Sequence, residues 1–139
     1  MFFDEIQNVS EFEKVINSFR ATLNVSIFIT GSNSKILSSE LSTHLLGRYI
    51  YNELISRGYD VYIGKIDNGE IDFVVDNFGE RFYIQVCEYL SSDEVVEREF
   101  GAYNQVNDNY PKYVLSMDKI DYSRNGIIHK NIIDWLLDK

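Results

Sequence analysis

Two sets of polar residues in this 139-residue chain have types and spacing suited to chemistry. In the first half, the acidic pair Asp4-Glu5 follows an apolar stub, and Ser32-Asn33 follows a later apolar run. In the second half, Asp72 and Gln85 stand on two alternating runs. Carboxylate and carboxamide oxygens are ligands for hard cations such as Mg²⁺, although a carboxamide is weaker because it is neutral. Magnesium is therefore the one candidate cofactor, and its candidate ligands are Asp72 and Gln85.

The two runs of the second half predict a β-hairpin. A turn centred between Phe78 and Gly79 places Asp72 opposite Gln85 across the ladder. Side-chain alternation then predicts a polar face directed away from the core and an apolar face that forms the core. The polar set is Glu70, Asp72, Tyr83, Gln85 and Cys87, and the apolar set is Ile71, Phe73, Val75, Phe82, Ile84 and Val86.

The rest of the chain alternates between helical and strand patterns. Capping boxes at Ser10–Glu13 and Ser91–Glu94 predict helix starts. These patterns predict an α/β fold with a mixed sheet flanked by helices. The predicted strands cover residues 1–3, 25–30, 59–65, 70–76, 81–89, 113–117 and 127–130, and the predicted helices cover 10–23, 38–57, 91–106 and 131–137.

The run FFDEIQNVSEFEKVINSFRATLNVSIFITGSNSKILSSELSTHLLGRY closely resembles the middle of bacterial AAA+-type ATPases. The resemblance implies that residues 1–50 are a partial ATPase segment, with Asp4 and Glu5 as the Walker B pair. It implies Ser32 or Asn33 as the γ-phosphate sensor, and it places Arg48 at the same nucleotide site. The sequence departs from that family because it has no G-x-x-x-x-G-K-[ST] loop to bind the phosphates. We therefore expect no ATP hydrolysis, and nucleotide binding without hydrolysis is one alternative function.

Residues 51–139 resemble the C-terminal domain of the same ATPases, which has a restriction-endonuclease-like fold. The matching stretches include EIDFV at 70–74 and YIQVC at 83–87. The active nuclease pattern, PD-(D/E)-x-K, implies Glu53, Asp72 and Gln85 as a degenerate catalytic set that would bind Mg²⁺. Cys87 stands where the pattern has its lysine, and a thiol supplies no fixed positive charge. Lys65 or Arg98 could substitute from a neighbouring element, and the alternative is that Asp72 is only structural.

In the resembled ATPases, further segments separate the Gly-Arg-Tyr element from the Asn-Glu-Leu element. Here Gly47-Arg48-Tyr49 runs almost directly into Asn52-Glu53-Leu54 inside one helical pattern. We therefore expect a truncated, internally deleted relative whose two parts share one helix. Our leading hypothesis is a non-catalytic remnant that acts through self-association or by binding an intact ATPase relative, because its N-terminal strands would expose sheet edges. A weak Mg²⁺-dependent nuclease is the alternative.

The net charge of −9 lies almost entirely in the second half, since residues 1–50 carry four basic and five acidic side chains. An acidic surface repels phosphate backbones, so we expect weak or no nucleic-acid binding. The single cysteine forms no internal disulfide, and no apolar run is long enough for a membrane span, which predicts a cytoplasmic protein. We expect His44 and His129 to be surface residues, Glu97-Arg98-Glu99 to be an exposed helix face, and Trp135 to anchor the last helix.

Overall fold

The computed structural model describes residues 1–4, 6, 9–24, 26–30, 39–66 and 69–138. The chain divides into two compact units, Met1–Ser42 and Thr43–Lys139. The division falls earlier than the predicted boundary between residues 50 and 51. The helix Ser39–Ser56 runs without interruption through that predicted junction, as the helical pattern on its two sides indicated.

The first unit contains two short strands and a helix: β1 (Phe2–Phe3), α1 (Phe12–Thr22) and β2 (Phe28–Ile29). The two strands pair in parallel, with Phe2 beside Phe28 and Phe3 beside Ile29. Strand β2 is shorter than the predicted strand 25–30. Helix α1 packs on β1 through Phe3 and Phe19, whose stacked ring centroids lie 6.0 Å apart. Among the described side chains of this unit, the buried apolar ones are Ile6, Phe12 and Ile16.

The first predicted capping box is wrong. The N-cap of α1 is Glu11 in the left-handed region, with no side-chain hydrogen bond to the helix. The Glu11 carboxylate instead accepts a hydrogen bond from the Lys14 ammonium at 2.6 Å. The second helix, α2 (Ser39–Ser56), is continuous through Gly47, and Ile50 and Leu54 are fully buried.

The second unit is built on a five-stranded mixed sheet in the order β3-β4-β5-β6-β7. The first three strands are antiparallel, and β5, β6 and β7 are parallel. The predicted hairpin register is confirmed, because Phe73 pairs with Ile84 and Asn77 with Glu80 around a turn at Phe78 and Gly79. The strands are β3 (Asp60–Ile66), β4 (Gly69–Asn77), β5 (Glu80–Val86), β6 (Lys112–Ser116) and β7 (Ile127–Asn131).

Helices cover both faces of this sheet. Helix α3 (Asp93–Gly101) begins at Ser92, whose side chain caps it by accepting a bond from the Val95 N–H, and a 3₁₀ helix (Ala102–Gln105) follows. Helix α4 (Ile132–Leu137) begins at Asn131, whose side chain accepts bonds from two amides of its first turn. Ser92 is the cap, one residue later than the capping box predicted.

The two faces form two separate apolar clusters. Helices α2 and α4 cover one face, where the buried residues are Ile50, Leu54, Val75, Ile84, Val86, Leu115, Ile132 and Trp135. Helix α3 and the 3₁₀ helix cover the other, where the buried residues are Ile71, Tyr83, Cys87, Leu90, Val96, Phe100, Tyr103, Val114 and Ile127. The prediction of a polar face directed away from the core is therefore wrong, because the packing of α3 makes that face a second core.

The predicted face of Ile71 is also wrong. Between Tyr62 and Gly64 the β3–β4 register shifts, so that β4 has one residue more than β3 between Ile71 and Val74. An extra residue of this kind interrupts strict alternation and redirects the neighbouring side chains. Ile71 consequently packs with Tyr83 and Val74 rather than with Phe73 and Val75. This bulge also determines the position of Asp72.

Candidate functional site

The polar groups of the predicted nuclease-like hairpin form one connected set, which we call the hairpin network: Asp72, Gln85 and Glu99. The Asp72 N–H donates to Gln85 Oε1 at 2.7 Å, and Asp72 Oδ2 accepts from the Val86 N–H at 2.8 Å. Gln85 Nε2 donates to Glu99 Oε2 at 3.3 Å. The two side chains thus replace ladder bonds at the point where the strand alternation is interrupted.

Sequence reasoning missed Glu99. The sequence predicted that Glu97-Arg98-Glu99 is an exposed helix face, but Glu99 is only 5% exposed. Its Oε1 accepts two hydrogen bonds from the Arg98 guanidinium, at 2.7 and 2.9 Å. Helical spacing alone could have raised the question, since Glu99 lies three and four residues from the apolar Val96 and Val95 on the same side of α3.

Burial, more than any other cause, raises the pKa of Asp72 from its ordinary 3.8 to about 6. The hydrogen bond from the Val86 N–H opposes this shift, and the nearby Glu99 and Glu70 carboxylates reinforce it. A carboxyl group in this range changes charge near neutral pH, which is unusual for an aspartate and is typical of functional sites. The hairpin network therefore contains a carboxyl group that can carry or release a proton at moderate pH.

Cys87 lies in the core at 2% exposure, where the nuclease pattern would have its lysine. Burial and the neighbouring Glu99 and Asp118 carboxylates raise the pKa of its thiol to about 12. The thiol is consequently neutral, and it is not reactive at ordinary pH because the thiolate is the nucleophile.

An open cavity of about 610 Å³ adjoins the hairpin network. Asp72, Gln85, Glu99 and Glu70 line it, and within the described part of the chain the cationic residue of the lining is Arg98. Among the residues that the structure describes, no group of three histidine, cysteine, aspartate or glutamate side chains is placed to hold a metal ion. The assignment of Asp72 and Gln85 as Mg²⁺ ligands stays a prediction.

Glu53 is not part of this cavity's lining. Its carboxylate accepts from Arg57 Nε at 2.8 Å within α2. Arg57 in turn lies over the Trp135 ring, 4.7 Å from its centroid, and donates to the backbone carbonyls of Trp135 and Leu136. The structure therefore connects Glu53 with the α4 side of the sheet and not with Asp72 or Gln85.

A second polar set, which we call the β6–β7 network, consists of Ser116, Asp118 and His129. Ser116 Oγ lies 2.9 Å from His129 Nε2 and donates to Asp118 Oδ2 at 2.8 Å. Asp118 Oδ2 also accepts from the Leu90 N–H at 2.7 Å. The Tyr122 N–H points at His129 Nδ1 from 3.4 Å, which places the imidazole proton on Nε2.

The prediction that His129 is a surface residue is wrong, since the side chain is buried beneath the β6–β7 connection. Burial lowers the pKa of His129 from its ordinary 6.5, against the raising effect of Asp118 and Asp121. The serine hydroxyl is fully buried and bonded to a carboxylate, so it is not placed as a nucleophile. The network is a structural connection between β6, β7 and the segment at Leu90.

In the first unit, Asp4 follows β1 as predicted, and Thr30 follows the neighbouring strand β2. The Thr30 hydroxyl donates to Asp4 Oδ1, which joins the ends of the two parallel strands. Glu5, Ser32 and Asn33 lie outside the described residues. Arg48 is an exposed residue of α2. Nucleotide binding through these residues stays a prediction.

Comparison with known proteins connects the first part of the chain with ATPases. Residues 1–59 match the model of a family described as an AAA domain. This part of the chain resembles an AAA domain. The parallel strands β1 and β2, with Asp4 and Thr30 directly after them, lie within the matched segment.

Two curated relatives cover parts of the chain. An uncharacterized protein of Haemophilus influenzae is 51% identical over 47 residues, which are 34% of this chain and 12% of that protein. An uncharacterized protein of Methanocaldococcus jannaschii is 38% identical over 63 residues, which are 45% of this chain and 14% of that protein. The matched segments thus cover about an eighth of the length of each relative. No helix among the described residues has the length and apolarity needed to cross a membrane.

Proposed function

We propose that this chain is a non-catalytic relative of the AAA-type ATPases and acts through protein association. The observation that carries the proposal is the state of the nuclease-like hairpin. Asp72 and Gln85 bond to the backbone of their own hairpin and to Glu99, and Cys87 is buried where a catalytic lysine would stand. These contacts give the residues a structural role in closing the hairpin.

The restriction-endonuclease-like origin of the second unit is part of the same proposal. It is supported by the hairpin register, whose pairs run from Asn77 with Glu80 to Phe73 with Ile84, and by the Asp72 N–H bond to Gln85 Oε1 just beyond them. Cys87 follows two residues after Gln85. A thiol whose pKa is raised to about 12 supplies no positive charge to offset the negative charge that develops during phosphodiester cleavage. A chain with this hairpin is therefore expected to be inactive or nearly inactive as a nuclease.

The strands β1 and β2 support association. Parallel sheets are usually covered on both faces and contain more than two strands. Among the described residues, this sheet has the two strands β1 and β2, and their paired residues Phe2 and Phe28 are 64% and 62% exposed. We propose that strands from a second copy, or from an ATPase relative, extend this sheet and cover the two rings.

Sedimentation velocity of the full chain tests self-association. We expect a concentration-dependent oligomer that the Phe28→Ser variant converts to a monomer. The matched control is Leu23→Ser, which removes a half-exposed apolar side chain from the same unit outside the strands. A wild-type chain that stays monomeric at its solubility limit would contradict self-association, and binding to a separately purified ATPase relative would then be the remaining form of the proposal.

A second candidate function is a weak Mg²⁺-dependent nuclease. It is favoured by the cavity of about 610 Å³, into which the hairpin network presents two carboxylates with Arg98 beside them. In this alternative, Asp72 and Glu99 would bind the metal and Arg98 would supply the missing positive charge. Cleavage of DNA or RNA that requires Mg²⁺ or Mn²⁺ and is lost in Asp72→Ala would support it, with Asp76→Ala as the matched control on β4. The absence of cleavage of every nucleic-acid form would exclude it.

A further inference from the structure

The tip of the β4–β5 hairpin has an aromatic residue in an unfavourable position. Phe78 and Gly79 form the two-residue turn, and both have positive φ angles, 49° and 94°. Such turns favour Asn-Gly, because the left-handed region is costly for a residue with a bulky side chain. The Phe78 ring is also fully exposed. Neither turn geometry nor burial explains a phenylalanine here, which suggests that the ring contacts a partner.

An open cavity of about 550 Å³ lies beside this tip. Three aromatic residues and two carboxylates contribute to its lining: Tyr62, Phe78, Tyr110, Asp60 and Asp76. Aromatic faces combined with carboxylates are suited to organic cations, because the negative face of each ring attracts the charge. The composition of the lining therefore indicates a cation-binding surface.

One half of this surface already holds a guanidinium of the chain itself. Arg81 donates to both carboxylate oxygens of Asp76, at 2.8 and 2.9 Å. The same guanidinium lies 6.0 Å from the centroid of the Tyr110 ring. A carboxylate and an aromatic face thus bind an arginine side chain at this end of the sheet.

The other half has the same kinds of residues without a cation from the described part of the chain. Asp60 is directly opposite Asp76 in the β3–β4 register, and the nearby Arg81 guanidinium donates to both Asp76 oxygens. The hydrogen bonds and ion pairs of the described residues include none that involves the Asp60 side chain. Tyr62 and Phe78 supply the exposed aromatic surface beside it.

We propose that Asp60, Tyr62 and Phe78 bind an arginine side chain from a basic segment of a partner protein. Arginine fits better than lysine because its planar guanidinium stacks on rings while it bonds to a carboxylate. The exposed Asp60 carboxylate and the net charge of −9 favour a basic partner for this surface and disfavour nucleic acid. This surface lies in the second unit and goes beyond the strand pairing proposed for β1 and β2, so either proposal can fail without the other.

The proposal is tested by NMR titration of the full chain with two blocked tripeptides, acetyl-Gly-Arg-Gly-amide and its citrulline counterpart. We expect the arginine peptide to shift the Tyr62 and Phe78 ring signals and to bind roughly tenfold or more tightly than the neutral citrulline peptide. Guanidinium chloride is the third probe, and we expect it to bind more weakly than the arginine peptide.

Phe78→Asn is the deciding variant, because Asn-Gly is the preferred sequence of this turn and the variant should fold at least as well as the wild type. We expect Phe78→Asn to lower the affinity for the arginine peptide about fivefold, and Asp60→Asn to lower it by the same factor. Tyr89→Asn removes an exposed aromatic ring elsewhere in the unit and should leave the affinity unchanged. Equal affinity for the two peptides, or unchanged binding in Phe78→Asn, would overturn the proposal. Guanidinium binding as tight as that of the peptide would overturn the assignment to a protein partner.

Discussion

The hairpin network and the β6–β7 network are both largely buried sets of polar groups on one sheet. They differ in the hydrogen-bond donors and the charges that surround their aspartates. In the β6–β7 network, Asp118 accepts from a backbone amide and from a hydroxyl. In the hairpin network, Asp72 accepts one amide bond and lies near two further carboxylates, which with burial raise its pKa to about 6. Each network adjoins an open cavity, of about 590 Å³ at Asp118 and about 610 Å³ at Asp72, so the difference lies in the donors and charges around each carboxylate.

This difference teaches that burial alone does not mark a functional carboxylate. Asp118 is held in place by donors, which is what a structural role requires. The Asp72 carboxylate accepts one backbone N–H and lies near Glu99 and Glu70, which makes its protonated form easier to reach than that of an ordinary aspartate. The two networks meet near Cys87, whose thiol pKa is raised by carboxylates of both.

The largest effect that tests this comparison is expected from Asp118→Ala. The substitution leaves the Leu90 N–H and the Ser116 hydroxyl without their shared acceptor, and we expect a loss of about 3 kcal/mol in the free energy of unfolding. Urea unfolding of the full chain, followed by the fluorescence of Trp135, the one tryptophan, reports on this unit. Asp121→Ala, an exposed neighbour, is the control and should cost less than about 0.5 kcal/mol. A loss no larger than that of the control would mean that Asp118 is not structural.

The second-largest effect is expected at Asp72, where a substitution should raise the free energy of unfolding instead of lowering it. Because the folded pKa of about 6 lies above the ordinary 3.8, the native state gains from protonation, and this stability is lost as the pH rises through about 6. Asparagine keeps an acceptor for the Val86 N–H and carries no charge. We therefore expect Asp72→Asn to raise the unfolding free energy by about 2 kcal/mol at pH 8 and to leave it nearly unchanged at pH 3.5.

Asp76→Asn is the matched control for this measurement. Asp76 stands on the same strand, but its hydrogen bonds from Arg81 lower the pKa of its carboxyl group, so the variant should not be stabilised at pH 8. If Asp72→Asn changed the free energy of unfolding equally at both pH values, the idea that folding destabilises the charged form of Asp72 would be wrong.

The smallest effect is expected from His129. Its folded pKa is lowered by burial, so the stability it contributes is present above pH 6.5 and is lost as the pH falls through the folded pKa. Glutamine can still donate to Ser116 and does not titrate. We expect His129→Gln to flatten the dependence of unfolding on pH between 7 and 5, with a cost of about 1 kcal/mol at pH 7.

This measurement is best made in the Asp72→Asn background, because Asp72 titrates in the same range with the opposite sign. The Asp72→Asn single variant gives the reference slope for this comparison. If His129→Gln left the slope of unfolding free energy against pH unchanged, the pKa of His129 would be the same in the folded and unfolded states.

Much of the fold could be predicted because local patterns determine it. The hairpin register follows from the turn at Phe78 and Gly79, and the extent of α2 follows from its helical pattern and from Gly58, which ends it with a positive φ angle. Strand β7 at the sheet edge was predicted from its short apolar run. The capping residues were predicted less well, since a cap depends on the conformation of one residue and not on a repeating pattern.

The candidate sites could be predicted only in part. Asp72 and Gln85 are adjacent as the register required, but Glu99 joins them from a helix far along the chain, and Glu53 is directed to Arg57 and α4. The β6–β7 network joins residues on two strands and the loop between them, and nothing in the spacing of Ser116, Asp118 and His129 indicates that they meet. Side chains of this kind are brought together by packing, which single-sequence patterns do not contain.

By itself, the sequence determined the mixed α/β character of this protein, the hairpin that carries Asp72, and the residue types at Asp72, Gln85 and Cys87. These properties depend on residue type and short-range periodicity. Only the tertiary structure decided that α3 covers the second face of the sheet, because the same alternating strand can face either solvent or a helix. That packing buries Glu99 and Cys87, raises the pKa of Asp72, and brings Glu99 within hydrogen-bond distance of Gln85.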